Sequence, residues 1–485
     1  MAVKPLSPGE LDWAGRGASH VNFDEDDAVP LAQGRFLGHG MNGGVFETMV
    51  CGQKVAWKRR YCRRQIVQQE LREMDILKKL DHPHVVKLIG TYTHGPFLGL
   101  LLWPVAVCDL GTFMDDANAL LYGEGSAHDE YQAICTRLNN LGIESPTQGA
   151  DSTRNSAIVA RLKQSIGCIS SAMAYLHSQS VRHKDIKPNN MLLSSTGIWV
   201  ADFGSSTDFS EISQSVTANG ERGTPKYFAP EVAAYEANGR SADIFSLGCV
   251  FLEMLGLCNG HSLEFMKELR PDKDRSFHAN LDRILHWFNF SGTDVDTFAD
   301  GQLMALVREM IGPDPQARPT AGRITARLQL IDVFRRPSPP PPLWGNCCAP
   351  RRISPQSMVE GRQVAAVTVR IGNEHRQMEQ GHAWRFFVNV PGLESIIDGL
   401  HIFLHSSFTD PYKVMHQPPF SLSGSGWGYF HIGVVVSLKT GYAWVAEDAM
   451  VGLEGQSLLP LYWTLNFERD LSFSDVDVGV VDVRH

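Results

Sequence analysis

The sequence predicts a mixed α+β fold followed by an all-β sandwich, and three features of the chain indicate this order. Apolar residues recur at helical spacing in two stretches, 65–80 and 158–176, with short apolar strands before and between them. A proline-rich break at 335–350 follows, and proline runs form stiff spacers. Beyond it, apolar and polar residues alternate in short runs separated by turns, which is typical of an antiparallel β-sandwich.

The composition is that of an ordinary globular protein. The chain has 485 residues, of which 43% are hydrophobic and 20% charged, and this length allows about two to four domains. The formal net charge of -9 argues against direct nucleic-acid binding. The cysteines form no CxxC pair and no secretory signal opens the chain, which indicates a reducing compartment. We find no uninterrupted apolar run of about 18 residues, so no membrane-spanning helix or membrane partner is expected.

Changes of composition divide the chain into four segments. Residues 1–31 have little apolar periodicity and an acidic cluster, so we expect a flexible arm. Residues 32–334 form the α+β domain, residues 335–358 a proline-rich linker, and residues 359–485 the sandwich. Inside the first domain, residues 117–155 are rich in Gly, Asn, Ser and Asp, and the sequence predicts no definite structure for them.

A short polar turn carries an acid, a cation and an amide at Asp185, Lys187 and Asn190. Asp185 can accept or orient a hydroxyl proton, Lys187 can neutralise the charge of a transferring phosphate, and Asn190 can hold a metal ion. The segment 181–193 therefore resembles the catalytic loop of protein kinases, whose pattern is H-R-D-x-x-x-x-N. Lys184 takes the place of the arginine in that pattern, which leaves activation by phosphate docking in doubt.

A glycine-rich segment upstream fits the same family. Gly38, Gly40 and Gly43 provide a backbone without side chains, which can lie close over phosphates. This spacing alone would also suit a dinucleotide-binding fold. However, Val45 continues into strand-like sequence, and the next apolar strand ends at Lys58. The resemblance implies that Lys58 contacts the α- and β-phosphates of ATP.

The resemblance also implies an ATP pocket between two lobes. It assigns Val45, Ala56 and Leu102 to the walls of the adenine site, and a backbone N–H of Val105 to the connecting hinge. Adenine recognition here uses backbone groups, so the identity of the hinge residues is loosely constrained.

Two carboxylates complete the expected site. On the helical stretch at 65–80, Glu73 matches the glutamate that pairs with Lys58, with Glu70 as the alternative. Asp202 opens a D-F-G triplet and is expected to hold Mg²⁺, with Asn190 holding a second ion.

The segment 223–231 matches the family pattern GTxxYxAPE, and the resemblance places Thr224 beside Asp185 and Lys187. Lys187 and Thr224 together mark the serine/threonine type. The expected function is transfer of the ATP γ-phosphate to protein hydroxyls by a two-lobed protein kinase fold, with ATP and Mg²⁺ as cofactors. A nucleotide-binding pseudokinase or scaffold remains the alternative, because Lys184 and the hinge are unusual.

The C-terminal domain resembles the YEATS family, which folds as an immunoglobulin-like sandwich and reads acylated lysine, typically on histone tails. The resemblance rests on the segments 382–384, 404–408, 418–420 and 426–430. It implies that the acyl group is stacked by Phe408 and Trp427 and hydrogen-bonded by Ser407 and a backbone N–H near Gly428, with His405 as support.

Two alternatives stay open for this domain. Gln380 stands where several readers have an aromatic wall, so a plain protein-binding module is also compatible with the sequence. Acylated histone tails as partners imply a nuclear location, and without them the cytoplasm is expected.

Overall fold

A computed structural model gives the fold of the chain. The structure describes residues 12–40, 43–62, 68–123, 128–143, 151–208, 223–271, 273–291, 298–335, 342–348, 362–379, 381–426, 428–452 and 455–483. The chain divides into two compact units, Met1–Ile284 with Glu309–Gly322, and Leu285–Arg308 with Arg323–His485. The domain boundaries predicted from the sequence stay a prediction.

The first unit begins with a six-stranded sheet in the order β1-β5-β6-β4-β3-β2. All neighbouring strands run antiparallel except β1 and β5, which are parallel. The strands are β1 (His20–Phe23), β2 (Phe36–Gly40), β3 (Gly43–Val50), β4 (Gln53–Tyr61), β5 (Lys87–His94) and β6 (Phe97–Trp103). Helix α1 (Gln68–Lys79) lies between β4 and β5 in the chain and provides the helix predicted at 65–80.

The glycine-rich segment forms the hairpin of β2 and β3. Gly38 lies opposite Val45, and Gly40 lies opposite Gly43. A Cβ atom at Gly43 would lie 1.8 Å from the carbonyl oxygen of Arg59. Only glycine therefore allows the start of β3 to lie this close to the backbone that follows Lys58.

Strand β1 was not expected, because residues 1–31 were predicted to form a flexible arm. In the described part of this segment, β1 extends the sheet as an edge strand beside β5. Trp13 is 6% exposed and packs against Phe23 and Tyr92 at ring distances of 6.2 and 5.9 Å. The acidic cluster led to the prediction of a flexible arm. Burial of a few large apolar side chains is nevertheless enough to hold the segment on the sheet.

The rest of the first unit is mainly helical. Its elements are β7 (Cys108–Asp109), α2 (Leu110–Tyr122), α3 (His128–Asn140), α4 (Asp151–Ser178), β8 (Val181–Arg182), β9 (Met191–Ser194), β10 (Gly197–Val200), β11 (Thr207–Asp208), α5 (Pro230–Ala233), α6 (Arg240–Cys258) and α7 (Leu263–Glu268). Helix α4 contains the apolar stripe predicted at 158–176. The described part of 117–155 is largely helical, since it holds the end of α2, all of α3 and the start of α4.

Short strands lie on either side of the catalytic loop and of the D-F-G triplet. Strands β9 and β10 pair antiparallel, with β7 on the other side of β9, and β8 pairs with β11.

Helix α6 has the length and apolar composition of a membrane-spanning helix, although no such helix was expected from the sequence. Most of α6 is buried in the protein, as in the core helix of a folded domain.

The second unit contains two five-stranded antiparallel sheets, in the orders β16-β13-β12-β21-β18 and β15-β14-β17-β20-β19. Parts of the helices α8 (Leu281–Ser291), α9 (Phe298–Met310) and α10 (Ala321–Val333) belong to it as well. The strands are β12 (Arg362–Gln377), β13 (His382–Asn389), β14 (Ile397–Phe403), β15 (Tyr412–Met415), β16 (Ser421–Gly426), β17 (His431–Leu438), β18 (Tyr442–Val445), β19 (Met450–Val451), β20 (Ser457–Thr464) and β21 (Leu471–Asp482).

The two sheets share a core built from the alternating residues seen in the sequence. Buried side chains of both sheets form one cluster that includes Ile371, Trp384, Phe386, Ile402, Val434, Val436, Leu461 and Val480. The predicted fold class, an α+β part followed by an immunoglobulin-like β-sandwich, is confirmed.

Candidate functional sites

The catalytic loop lies between β8 and β9 and gathers the predicted polar side chains around Asp185. One carboxylate oxygen, Oδ1, accepts hydrogen bonds from Thr224 N at 2.8 Å and Thr224 Oγ1 at 3.0 Å. The other, Oδ2, accepts from Lys187 Nζ at 2.7 Å and Asn190 Nδ2 at 3.1 Å. Lys187 also donates to Thr224 Oγ1 at 2.9 Å. Four side chains, predicted from two separate motifs, thus form one network.

Asp243 at the start of α6 fixes the backbone of this loop. Its carboxylate accepts from the N–H of His183 at 3.0 Å and of Lys184 at 2.9 Å. His177 Nε2 lies 3.0 Å from the same carboxylate. Burial by itself would raise the pKa of Asp243, but the hydrogen bond with His177 and the electrostatic interactions with His177, Arg182 and His183 together lower it. Lys184 has φ 66, an uncommon conformation for a residue with a side chain, and the bond to Asp243 helps to hold it.

A second cluster of charges lies between β4, α1 and the D-F-G triplet. Lys58 Nζ lies 3.1 Å from Glu73 Oε1 and 2.9 Å from Asp202 Oδ1. Arg60 reaches the other oxygen of Glu73, Oε2, at 2.5 Å. The pairing with Lys58 is therefore made by Glu73; the side chain of Glu70 is outside the described residues.

The charge of Asp202 is set by its neighbours. Burial would raise the pKa of this carboxyl, but the charge and hydrogen bond of Lys58, with smaller effects of His183 and Arg60, together lower the pKa to about 2. Burial acts on Asp185 in the same way, and its hydrogen bond with Lys187 lowers the pKa of Asp185. Both groups are carboxylates near neutral pH. Asp202 and the side-chain oxygen of Asn190 offer the hard oxygen ligands that Mg²⁺ prefers, so the residues fit the expected ion.

The residues expected around adenine lie on neighbouring strands. Ala56 on β4 is directly opposite Leu102 on β6, and Val45 on β3 is opposite Lys58 on β4. Val105 is half-buried in the connection that follows β6. The strand pairing thus brings Ala56 next to Leu102 and Val45 next to Lys58.

In the sandwich, three of the predicted pocket residues share one loop after β14. His405 Nδ1 lies 2.7 Å from Ser407 Oγ, and Phe408 N donates to His405 O at 3.1 Å. The ring of Phe408 packs 5.1 Å from that of Phe430. Phe430 follows Gly428 by two residues, so the two segments that carry the predicted pocket come together. Trp427 lies outside the described residues.

Comparison with known families decides the class of the first domain. The model of the protein kinase domain matches residues 31–328. The chain belongs to the protein kinase family. The YEATS family model matches residues 379–452, so the kinase carries a C-terminal YEATS domain.

Its curated relatives are serine/threonine kinases. The chain is 28% identical over 47% of its length to mitogen-activated protein kinase kinase kinase ANP1 of Arabidopsis thaliana, covering 31% of that protein. It is 30% identical over 38% of its length to serine/threonine-protein kinase ATG1 of Komagataella pastoris, covering 23%. It is 27% identical over 46% of its length to human 3-phosphoinositide-dependent protein kinase 1, covering 34%. The chain thus spans about a quarter to a third of the length of these three relatives.

Two residues that contact these clusters, Arg60 and His177, were not predicted from the sequence. Arg60 follows Lys58 by two positions on the same strand, so both side chains point to one face. That periodicity could have indicated the position of Arg60, but no role was predicted for this residue from the sequence. His177 sits at the end of α4 next to Asp243, and its helix was interpreted only as apolar core.

The kinase domain also contains a buried ion pair, apart from the clusters around Asp185 and Asp202. Arg318 places its two terminal nitrogens 2.8 and 3.0 Å from the two oxygens of Glu231. Both side chains are almost fully buried. Arg318 also donates to the carbonyl of Gly312 at 2.7 Å. The pair joins the segment after Thr224 to the end of the family match.

Proposed function

We propose that this protein is an active serine/threonine kinase that transfers the γ-phosphate of ATP to protein hydroxyls. The network around Asp185 carries the proposal. Its carboxylate is ionised and held by three side chains, so it can orient the hydroxyl of a substrate and accept its proton. Lys187 lies between Asp185 and Thr224, where an ammonium can offset the negative charge of the transferring phosphoryl group.

The nucleotide would be held by the second cluster. Lys58, oriented by Glu73, is placed to contact the phosphates, and Asp202 with Asn190 would hold Mg²⁺. When bound, the ion neutralises phosphate charge. The backbone of Gly38, Gly40 and Gly43 would cover the phosphates from the hairpin of β2 and β3.

Incorporation of labelled γ-phosphate into a generic protein substrate tests the enzyme. Asp185→Asn keeps the size of the side chain but removes the base, so transfer should fall by about 10²–10⁴-fold. Asp81→Asn is the matched control, because it makes the same change at an exposed aspartate. This variant should keep full activity. Equal incorporation by wild type and Asp185→Asn would leave the pseudokinase or scaffold as the better account.

We further propose that the YEATS domain binds acylated lysine, with histone tails as the natural ligands. The loop of His405, Ser407 and Phe408 supports this, because it joins a hydroxyl oriented by an imidazole to an aromatic face. A neutral planar acyl amide can use both, and stacking adds roughly 0.5–1.5 kcal/mol per aromatic pair.

Binding of acetylated and crotonylated lysine peptides to the full-length protein tests the reader. We expect micromolar affinity, about -8 kcal/mol, that is lost in Trp427→Ala and weakened in Ser407→Ala. Ser423→Ala is the control, since Ser423 is an exposed serine of β16 in the same sandwich. Absence of binding to any acylated peptide would favour a plain protein-binding module.

Histone tails as ligands require the protein to enter the nucleus. Imaging of the tagged full-length protein therefore bears on the natural ligand. An exclusively cytoplasmic signal would argue for acylated partners other than histones.

A further inference from the structure

Helix α9 places side chains against the backbone of the loop that carries Ser407 and Phe408. Arg308 donates to the carbonyl of Phe408 at 3.1 Å and to that of Ser406 at 3.4 Å. Gln302 donates to the carbonyl of Leu404. Helix α9 lies within the segment that matches the kinase family, whereas the YEATS match begins only at residue 379.

The two carbonyls that Arg308 contacts are those immediately before and after Ser407. Both bonds are donated by one terminal nitrogen of Arg308, Nη2, so a single guanidinium group holds the backbone on both sides of this serine. His405 holds the same residue through its hydroxyl at 2.7 Å. Ser407 is therefore held by His405 at its hydroxyl and by Arg308 through the carbonyls of its two neighbours in the chain.

Gly301 lets the helix approach the loop closely. It precedes Arg308 by seven residues, which is two helical turns, so both lie on one face of α9. A Cβ atom at Gly301 would lie 3.3 Å from Ser406 Oγ. A methyl group at this position would require the Ser406 hydroxyl, in the loop, to shift by a few tenths of an ångström.

Aromatic contacts anchor this helical segment to the sandwich. Phe334, just after α10, packs against Phe298 at 5.4 Å, Phe403 at 5.3 Å and Tyr462 at 5.1 Å. A Cβ atom at Gly433 of β17 would lie 2.7 Å from the ring of Phe298. Arg308 therefore contacts the loop from a helix that packs on β17 through Phe298 and on β14 and β20 through Phe334.

We infer that Arg308 is a positioning residue for the acyl-lysine pocket, which is completed by a helix outside the YEATS sequence match. The inference rests on the proposed acyl-lysine binding. If Arg308 has this role, the orientation of Ser407 depends on α9. Substitutions in α9 then alter the peptide affinity although the substituted residues do not contact the peptide.

The test measures binding of acetylated and crotonylated lysine peptides to full-length variants. Arg308→Met keeps the aliphatic stem but removes the donors, and should weaken binding about tenfold. Arg308→Lys should recover part of this loss, because an ammonium can serve at least one carbonyl. Arg370→Met, on an exposed ion pair of the sandwich, is the control for loss of one positive charge and should bind as wild type.

Two further variants separate positioning from folding. In a Ser407→Ala background, Arg308→Met should cost much less than tenfold, because the residue it orients is gone. Gly301→Ala replaces glycine by the best helix former, so it should keep or raise the melting temperature and still weaken binding a few-fold. If Arg308→Met does not fold, the peptide affinity of Gly301→Ala tests the inference in its place.

The outcomes distinguish the two proposals. If the wild type binds no acylated peptide, the reader function fails and the role of Arg308 falls with it. If the wild type binds and both Arg308→Met and Gly301→Ala bind equally well, acyl-lysine reading stands and only the role of Arg308 is overturned. Equal losses from Arg308→Met with and without Ser407 would also overturn it.

Discussion

Glu73 is paired with Arg60 as well as with Lys58. The guanidinium lies 2.5 Å from one carboxylate oxygen and the ammonium 3.1 Å from the other. All three side chains are at most 8% exposed. A Cβ atom at Gly204 would lie 3.4 Å from Arg60, so the guanidinium also borders the D-F-G triplet. Glu73, and with it α1, is therefore held to β4 at two points.

Loss of Arg60 should therefore weaken the orientation of Lys58. In Arg60→Leu, we expect kcat/KM for ATP to fall about tenfold, or about 1.4 kcal/mol, because Glu73 keeps only one cation. Arg60→Lys should restore part of it. Steady-state kinetics at varied ATP measures the effect, with Arg35→Leu, an exposed arginine of the same lobe, as control. Unchanged kinetics in Arg60→Leu would show that Lys58 alone positions Glu73.

The hydroxyl of Thr224 should matter for turnover more than for nucleotide binding. It bridges Lys187 and Asp185, and in the proposed mechanism both act on the reacting groups. Thr224→Ala should lower kcat about tenfold, or about 1.4 kcal/mol, at nearly constant KM for ATP. Thr224→Ser keeps the hydroxyl and should retain most activity. A serine variant as slow as the alanine variant would assign the effect to packing of the methyl group.

The ion pair of Glu231 and Arg318 should be a large contributor to stability. Arg318→Met leaves a buried carboxylate without its partner, and such losses cost about 3–5 kcal/mol. Urea unfolding followed by tryptophan fluorescence measures the change. The double variant Glu231→Gln with Arg318→Met should lose less than the two single changes together. Arg370→Met, which breaks an exposed pair, is the control, and a similarly small change for Arg318→Met would contradict the prediction.

The stability of the YEATS domain should fall on mild acidification because of His401. Burial lowers its pKa to about 4 from an ordinary value of 6.5, with smaller effects from Asp398 and His416. Between these pH values the unfolded chain takes up a proton and the folded domain does not. The contribution is therefore complete above pH 6.5 and is lost as the pH falls toward 4, at most about 1.4 kcal/mol per pH unit.

Melting curves of the full-length protein between pH 4.5 and 7.5 check this. His401→Gln should make the pH dependence of the sandwich transition shallower, whatever its effect on the absolute melting temperature. His431→Gln changes an exposed histidine of the same sheet and should leave the slope as in wild type. Parallel slopes for all three proteins would exclude His401 as the titrating group.

Side chains in ordered motifs could be predicted from the sequence, because their chemistry fixes their spacing. Asp185, Lys187, Asn190 and Thr224 meet in the structure as the motif order implied. The strands of the sandwich could also be predicted from their alternating apolar residues, since a sandwich buries every second residue of a strand.

What the sequence did not reveal depends on contacts distant along the chain. No role was predicted for Arg60, because its partner Glu73 is on another element. Strand β1 is held by an edge pairing and by Trp13, and neither leaves a periodic pattern. The approach of Arg308 to Phe408 joins residues 100 positions apart, for which local patterns carry no signal.

The pairing of β1 with β5 affects how the kinase domain can be expressed. A fragment begun at residue 31, where the family match starts, would lack β1 and Trp13. The backbone of β5 would become an open edge, and Gly90, where a Cβ would lie 2.4 Å from Trp13, would face the space left by the indole. Open edges recruit strands from other molecules. A weak signal from such a fragment would therefore report aggregation and not the competence of its catalytic loop.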